Sequence, residues 1–209
     1  VKPDDDEILL KISGFSVTAV TVAAQLSAVL SEARNISLEA MNARALVARA
    51  GDNVRTFRPI TDYMIELASD TIRLVQEINH EALKLSRVAL KRLDVAEAKR
   101  RFQHAQRLAQ SASYLADMRP LVHQARQDEL QQQRQLKHHL RQLTELLDEI
   151  ELRMLAAHVV AATSRQEAAT VEYTYKVGLE GIVNKLETAA ERIRSIAHKS
   201  RSLLRNNQY

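Results

Sequence analysis

The sequence predicts an all-α protein of long antiparallel helices, arranged as a helical hairpin or a four-helix bundle of the coiled-coil type. Three observations carry this prediction. Turn-forming and aromatic residues are scarce, with 4 Gly, 3 Pro, 3 Phe, 5 Tyr and no Trp in 209 residues, where an ordinary domain holds roughly 7% Gly and 5% Pro. The residues that dominate instead, Ala, Leu, Arg, Gln and Glu, are better helix formers. Apolar residues also recur at alternating steps of four and three, the signature of a coiled-coil seam. A hydrophobic fraction of 45% is that of a folded chain rather than a disordered one.

The first helix is expected over 6–50. Its seam reads Ile8, Ile12, Phe15, Ala19, Val22, Leu26, Val29, Ala33, Ile36, Ala40, Ala43, Val47 and Ala50 without a polar interruption. At ~1.5 Å per residue it would run roughly 65 Å. Asp4, Asp5 and Asp6 stand at its start, where negative charge complements the helix dipole. Gly51 is suited to the left-handed cap that ends a helix, and Asp52-Asn53 to a turn. The turn is therefore placed at 51–57. Pro59 then occupies a first-turn position, where its missing N–H is tolerated.

A second helix is expected over 58–118, with Ile60, Met64, Leu67, Leu74, Ile78, Ala82, Leu85 and Ala89 as its seam and a looser spacing around Leu93 and Ala96. Pro120 marks the next break, with Arg119 biased away from helix. The third helix, 121–176, carries Leu136, Leu140, Leu143, Leu147, Ile150, Met154, Ala157 and Ala161, then Ala168, Val171 and Tyr175. The fourth, 179–206, reads Leu179, Ile182, Leu186, Ala189, Ile193, Ile196 and Leu203 in a different phase. That phase change places a turn or kink near Gly178 and Gly181, with Thr163-Ser164 as the alternative that gives better-matched lengths. Helices with one apolar stripe must bury it against other helices. The expected whole is a single elongated helical domain spanning 1–209.

Composition narrows the function. The net charge is a mild +4, from 30 basic and 26 acidic side chains. With no Cys, disulfides, thiolate metal sites and cysteine nucleophiles are excluded, and a reducing, cytoplasmic setting fits. No run of 18 or more apolar residues is present, so no membrane span is expected. Val1 to Asp6 is polar and acidic, unlike a signal peptide. The chain begins at Val rather than Met, which leaves room for an upstream segment.

Glu77-x-x-His80 has the spacing of a carboxylate-bridged di-iron site, but no second such pair follows, so a surface histidine is expected and no metal or other cofactor. His138 and His139 are adjacent and point in different directions around a helix. A phosphorelay role for His104 would want a following Lys-Gly, which is absent. Lys91, Arg92, Lys99, Arg100 and Arg101 form one basic stretch, and Arg126, Arg134, Lys137 and Arg141 another. Basic patches can bind phosphate backbones. Asp94, Glu97, Asp128 and Glu129 are interleaved with them, and no aromatic cluster offers a stacking platform. The expectation is a solvated face of i,i+4 ion pairs and no nucleic-acid partner. No nucleophile elbow, phosphate loop or zinc signature is present, so the chain is not expected to be an enzyme.

One segment carries a family resemblance. Leu38-Glu39-Ala40-Met41-Asn42-Ala43-Arg44-Ala45-Leu46-Val47-Ala48-Arg49-Ala50-Gly51-Asp52, continued by Arg55, Phe57, Leu67 and Ala68, resembles the cytoplasmic signalling hairpin of bacterial methyl-accepting chemotaxis proteins. The match spans about residues 38–68. Leu46 stands where that family has a glutamate, Arg34 where it often has an aromatic residue, Val54 and Thr56 where it has glycines, and Tyr63 where it has a glutamate. The resemblance implies a dimeric four-helix bundle whose tip engages the chemotaxis histidine kinase and its coupling protein. It makes Asn42, Arg49, Gly51, Arg55 and Phe57 the partner-binding tip, and a homodimer the expected assembly. Ala162 to Thr170 is similar to a receptor methylation segment, with Gln166 and Glu167 as the modified pair.

The function expected from these readings is a non-enzymatic, chemoreceptor-like signalling or scaffold protein that works by protein contact at the tip. The alternative is a stand-alone helical-bundle binding module for an anionic ligand or nucleic acid. A buried polar cavity or salt-dependent nucleic-acid binding would favour that alternative.

Overall fold

The computed structural model describes residues 5–108, 119–171 and 173–206, with side chains at 14–51, 54–105, 120, 123–171 and 173–206. The protein is all-α. Four helices follow one another, α1 (Asp5–Ala50), α2 (Arg58–Leu108), α3 (Arg119–Thr170) and α4 (Tyr173–Asn206), and a 3-10 segment, Gly51–Phe57, joins the first two. No strand occurs among the described residues. The chain folds as two compact units, one of residues 1–22, 80–143 and 203–209 (unit 1), the other of residues 23–79 and 144–202 (unit 2). The acidic start and the side chains of Ile8 and Ile12 lie outside the described residues, as does the end expected for the second helix at Met118.

The α1 seam is core. Every described member, from Phe15 and Ala19 through Leu26 and Ile36 to Val47 and Ala50, is buried. Burying a Leu, Ile or Val side chain contributes about 1.5–3 kcal/mol, so this stripe holds α1 in place far more than helix propensity does. By length and composition α1 over Gly14–Ala50 is also apolar enough to cross a membrane. A search for unbroken apolar runs misses this, because Ser16, Thr18, Thr21, Gln25 and Ser27 interrupt it, although no charged residue occurs between Lys11 and Glu32. About 33% of the apolar window is buried, and Val17 and Val20 within this helix are exposed.

Gly51 ends α1 at φ +61, the left-handed conformation that costs an L side chain roughly 1–2 kcal/mol and glycine almost nothing. Within the 3-10 segment Val54 leaves helical geometry at φ −129, ψ 25. Val54 and Phe57 are both buried, at 1% and 2% exposure, and pin the turn to the core. The backbone N–H of Arg58 then bonds to the Arg55 carbonyl and starts α2. Arg119 and Pro120 open α3 rather than preceding it. Proline is acceptable there because the first-turn N–H has no helical partner in any case.

The third turn differs from both sequence expectations. α3 ends at Thr170 and α4 begins at Tyr173, and Val171 N–H bonds to Ala168 O at 3.4 Å. No Gly or Pro marks the turn. Thr170, Val171, Tyr173, Thr174, Tyr175 and Val177 crowd this stretch instead, and β-branched and aromatic residues lose χ1 freedom in a helix. Gly178 and Gly181 both lie inside α4. Thr163 and Ser164 lie inside α3, where their hydroxyls donate to the carbonyls of Val159 and Val160.

Unit 2 is a four-helix bundle closed within one chain. α1 and α4 run antiparallel, and a ladder of contacts steps in sevens along α1 and by seven, seven and eight along α4. Leu46 meets Gly178, Lys185 donates to Glu39 at 2.7 Å, Arg192 to Glu32 at 3.0 Å, and Ser200 to Gln25 at 2.7 Å. α2 and α3 are joined by Arg153, which bonds to Asp70 and also to Glu149 on its own helix. α3 and α4 are joined by Arg165 to Glu187 at 2.5 Å and by Arg201 to Asp148 at 2.5 Å. The Leu46–Gly178 contact puts the turn between α3 and α4 at the same end of unit 2 as the Gly51 turn. In unit 1, Ser16 and Ser86 hydroxyls bond at 3.1 Å across α1 and α2, and α2 meets α3 through Glu81 and His139 and through Lys99 and Glu129.

Candidate functional site: the hairpin tip of unit 2

The tip is built by the last four turns of α1, the 3-10 segment and the start of α2. The seam residues Ala40, Ala43, Val47 and Ala50 face the core, which turns the opposite side of α1 to solvent. There Asn42 and Arg49 are exposed, seven residues apart and so on one face. Beside them runs a second line, Leu38, Met41, Ala45 and Ala48, spaced three, four and three, and also exposed. Leu38 and Met41 are 59% and 57% exposed. Two large apolar side chains are thus held in water next to an arginine and an asparagine that make no ion pair or side-chain hydrogen bond among the described residues.

The structure separates the expected tip residues. Arg55 is exposed with Asn42 and Arg49, Gly51 is half-buried, and Phe57 is turned inward. Phe57 is among the largest fully buried side chains, so it holds the turn and does not offer itself to a partner. The missed residues are Leu38 and Met41, whose exposure could have been read from the seam. They sit opposite the buried Ala40–Ala43–Val47 line on a helix with a strict repeat.

Two departures from the receptor pattern have a structural account. At Leu46 a glutamate would meet the α4 backbone, because a Cβ on Gly178 would lie 3.0 Å from the Leu46 Cδ2. A side chain at 178 would require the Leu46 methyl to give by a few tenths of an ångström. Tyr63 is half-buried, and burial pushes its hydroxyl pKa up, against the pull of Arg153 and with the push of Glu66.

Gln166 is exposed and Glu167 half-buried, within four residues of the end of α3. Their neighbour Arg165 bonds to Asn184 and Glu187 on α4, whose neighbour Lys185 bonds to Glu39 on α1. The pair therefore lies near the level of Glu39, about 18 Å along α1 from Gly51 at ~1.5 Å per residue.

A groove of about 370 Å³ runs between α1 and α4, with Ile36, Leu38, Asn184 and Ala189 among its lining residues. Glu39–Lys185 and Glu32–Arg192, which also line it, already pair with one another, so the groove offers few free charges. Of the buried hydroxyls of unit 2, Thr61, Thr71 and Ser164 donate to carbonyls of their own helices, as Ser and Thr in helices commonly do, and Ser200 donates across to Gln25 on α1.

Elsewhere the histidines are dispersed. Among the described residues no group of three or more His, Asp or Glu could hold a metal ion. His80 is exposed, and Glu77 bonds to Arg73 at 2.6 Å. His139 Nδ1 lies 2.8 Å from Glu81, which also accepts from Lys84 at 2.6 Å. Burial alone would raise the Glu81 pKa, but the hydrogen bonds from Lys84 and His139 outweigh it and hold the carboxyl below its ordinary value.

No family model matches the chain, and neither a curated protein nor a solved structure matches it.

Proposed function

We propose that this chain is a non-enzymatic signalling or scaffold protein that works through protein–protein contacts at the tip of unit 2. The observation that carries the reading is the exposed line Leu38–Met41–Ala45–Ala48, flanked by Asn42 and Arg49 and ending at the Gly51 turn. Interface centres are rich in Met and Arg and poor in other charges, and this strip of α1 has that character. A helix offering anchors at such intervals suits a partner groove or another helix. The resemblance of residues 38–68 to chemoreceptor hairpins supplies the partner class, a chemotaxis histidine kinase with its coupling protein. Signalling then depends on how the four helices pack at this end, and no bond is made or broken. Gln166 and Glu167, exposed or half-exposed at the same end, are where methylation would adjust that packing.

The test is capture of a purified chemotaxis kinase and coupling protein by the wild-type chain, by Arg49→Ala and by Met41→Asp. Truncating an arginine anchor commonly costs ~2 kcal/mol or more, roughly thirtyfold in affinity. Both variants should bind at least that much more weakly and melt within a few degrees of wild type, since both side chains are exposed. Equal binding by all three proteins would rule out the tip as the contact.

A further inference from the structure

We propose that the exposed face of α3 in unit 1 binds the phosphate backbone of a nucleic-acid duplex without regard to base sequence. This goes beyond the tip reading and rests on separate residues. The chain's positive charge is unevenly placed. Residues 80–143 contain thirteen Lys and Arg against six Asp and Glu, a net of +7, while the remainder of the chain is net negative. The same stretch holds five of the seven His.

The expected neutralisation by interleaved carboxylates is incomplete. Lys99 pairs with Glu129 at 3.0 Å and Arg101 with Glu97 at 3.5 Å, whereas Asp94 and Asp128 form no ion pair among the described residues. Arg134, Lys137 and Arg141 are exposed, and none has a carboxylate within ion-pair distance among the described residues. Gln127, Leu130, Arg134, Lys137 and Arg141 recur at steps of three, four, three and four, so they form one face. The cations on it follow one another at roughly 5–6 Å.

The chemistry of the face selects among anionic partners. A duplex carries one charge per ~1.7 Å of axis, and cations that displace its counterions gain affinity in proportion to their number. Arginine and glutamine donate directional hydrogen bonds to phosphate oxygens. No Phe, Tyr or Trp occurs between 120 and 143, so the stacking on which single-strand binding depends is missing. Leu130 is the one large apolar side chain exposed on this stretch among the described residues, which leaves little to insert into a lipid surface.

The experiment is fluorescence anisotropy of a short labelled DNA duplex against the full chain over a salt series. It compares wild type, R134E/K137E/R141E and R34E/R44E/R58E, which removes the same charge from exposed sites of unit 2. Circular dichroism melts establish that each is folded. Wild type should bind with affinity that falls steeply with salt, and the unit 1 variant should lose at least about tenfold at low salt. Each phosphate contact contributes about 0.9 to the log–log salt slope, so that variant should flatten it by roughly two to three. The unit 2 variant should keep the wild-type slope. The proposal is overturned if wild type does not bind the duplex, if both variants lose binding equally, or if phosphatidylserine vesicles are bound and the duplex is not.

Discussion

Three glycines, Gly51, Gly178 and Gly181, stand in three different situations. Gly51 supplies a backbone angle, φ +61. Gly178 supplies space, since a Cβ there would press on Leu46 at 3.0 Å. Gly181 supplies neither, because it is helical, exposed and would have nothing within 4 Å of an added Cβ. Gly181→Ala should therefore stabilise the protein by ~0.5–1 kcal/mol through helix entropy alone. Gly178→Val should destabilise it by ~1–3 kcal/mol through overpacking, and adding Leu46→Ala should recover part of that loss. Thermal melts of these variants give the order directly, and equal melting temperatures for Gly178→Val and Gly181→Ala would contradict the close approach of α4 to α1. At this scale the sequence was only partly legible. Gly51 could be recognised because a run of helix formers stops at it. Gly178 looked like a turn, because a glycine that admits a neighbouring helix and one that bends the chain are the same letter. Phe57 was assigned to the partner surface for a similar reason: the receptor resemblance gives its position in the turn but not the direction of its side chain.

The elements were most legible in α1 and the middle of α3, and least in α4, where Ile182, Ile196 and Leu203 sit beside the seam. In α1 and in the middle of α3 the expected seams are the buried ones. In α4, Leu179, Leu186, Ala189 and Ile193 of the expected seam are buried, and the rest of the buried line is Val183, Ala190, Ala197, Ser200 and Leu204. Ile182, Ile196 and Leu203 lie beside it and are half-buried. At these three positions the seam lies one residue further on, at Val183, Ala197 and Leu204, and a buried alanine beside an isoleucine carries little hydrophobic weight in a pattern. Small residues can nevertheless be favoured on the inside, where helices approach closely. The turn between α3 and α4 was missed because it depends on a cluster of weak helix formers and not on a breaker. Ala197→Asp places an unpaired carboxylate at a site of 0% exposure and should cost several kcal/mol. Ile196→Asp, the larger change in hydrophobicity, should cost distinctly less because its carboxylate can reach water. Urea midpoints for the two variants settle the phase, and a greater loss for Ile196→Asp would restore the other one.

For the molecule as a whole, the organising feature is that unit 2 takes all four of its helices from one chain. A receptor hairpin closes its bundle with a second copy, which is why the sequence led to the expectation of a homodimer. Here the second half of the chain provides α3 and α4, and the α1–α4 ladder from Gln25–Ser200 to Leu46–Gly178 is formed in cis. Each exposed ion pair in that ladder contributes only a few tenths to 1 kcal/mol, so the pairs report register while the apolar seams hold it. The tip proposal depends on this closure, since it leaves Leu38, Met41 and Arg49, on the opposite side of α1, exposed. The chain has no cysteine, which permits a direct measurement. Glu39→Cys with Lys185→Cys, treated with a short bis-maleimide over a range of protein concentrations, should give an internally cross-linked species of monomer mass at every concentration. Cross-links found only between chains, vanishing on dilution, would contradict closure of the bundle within one chain.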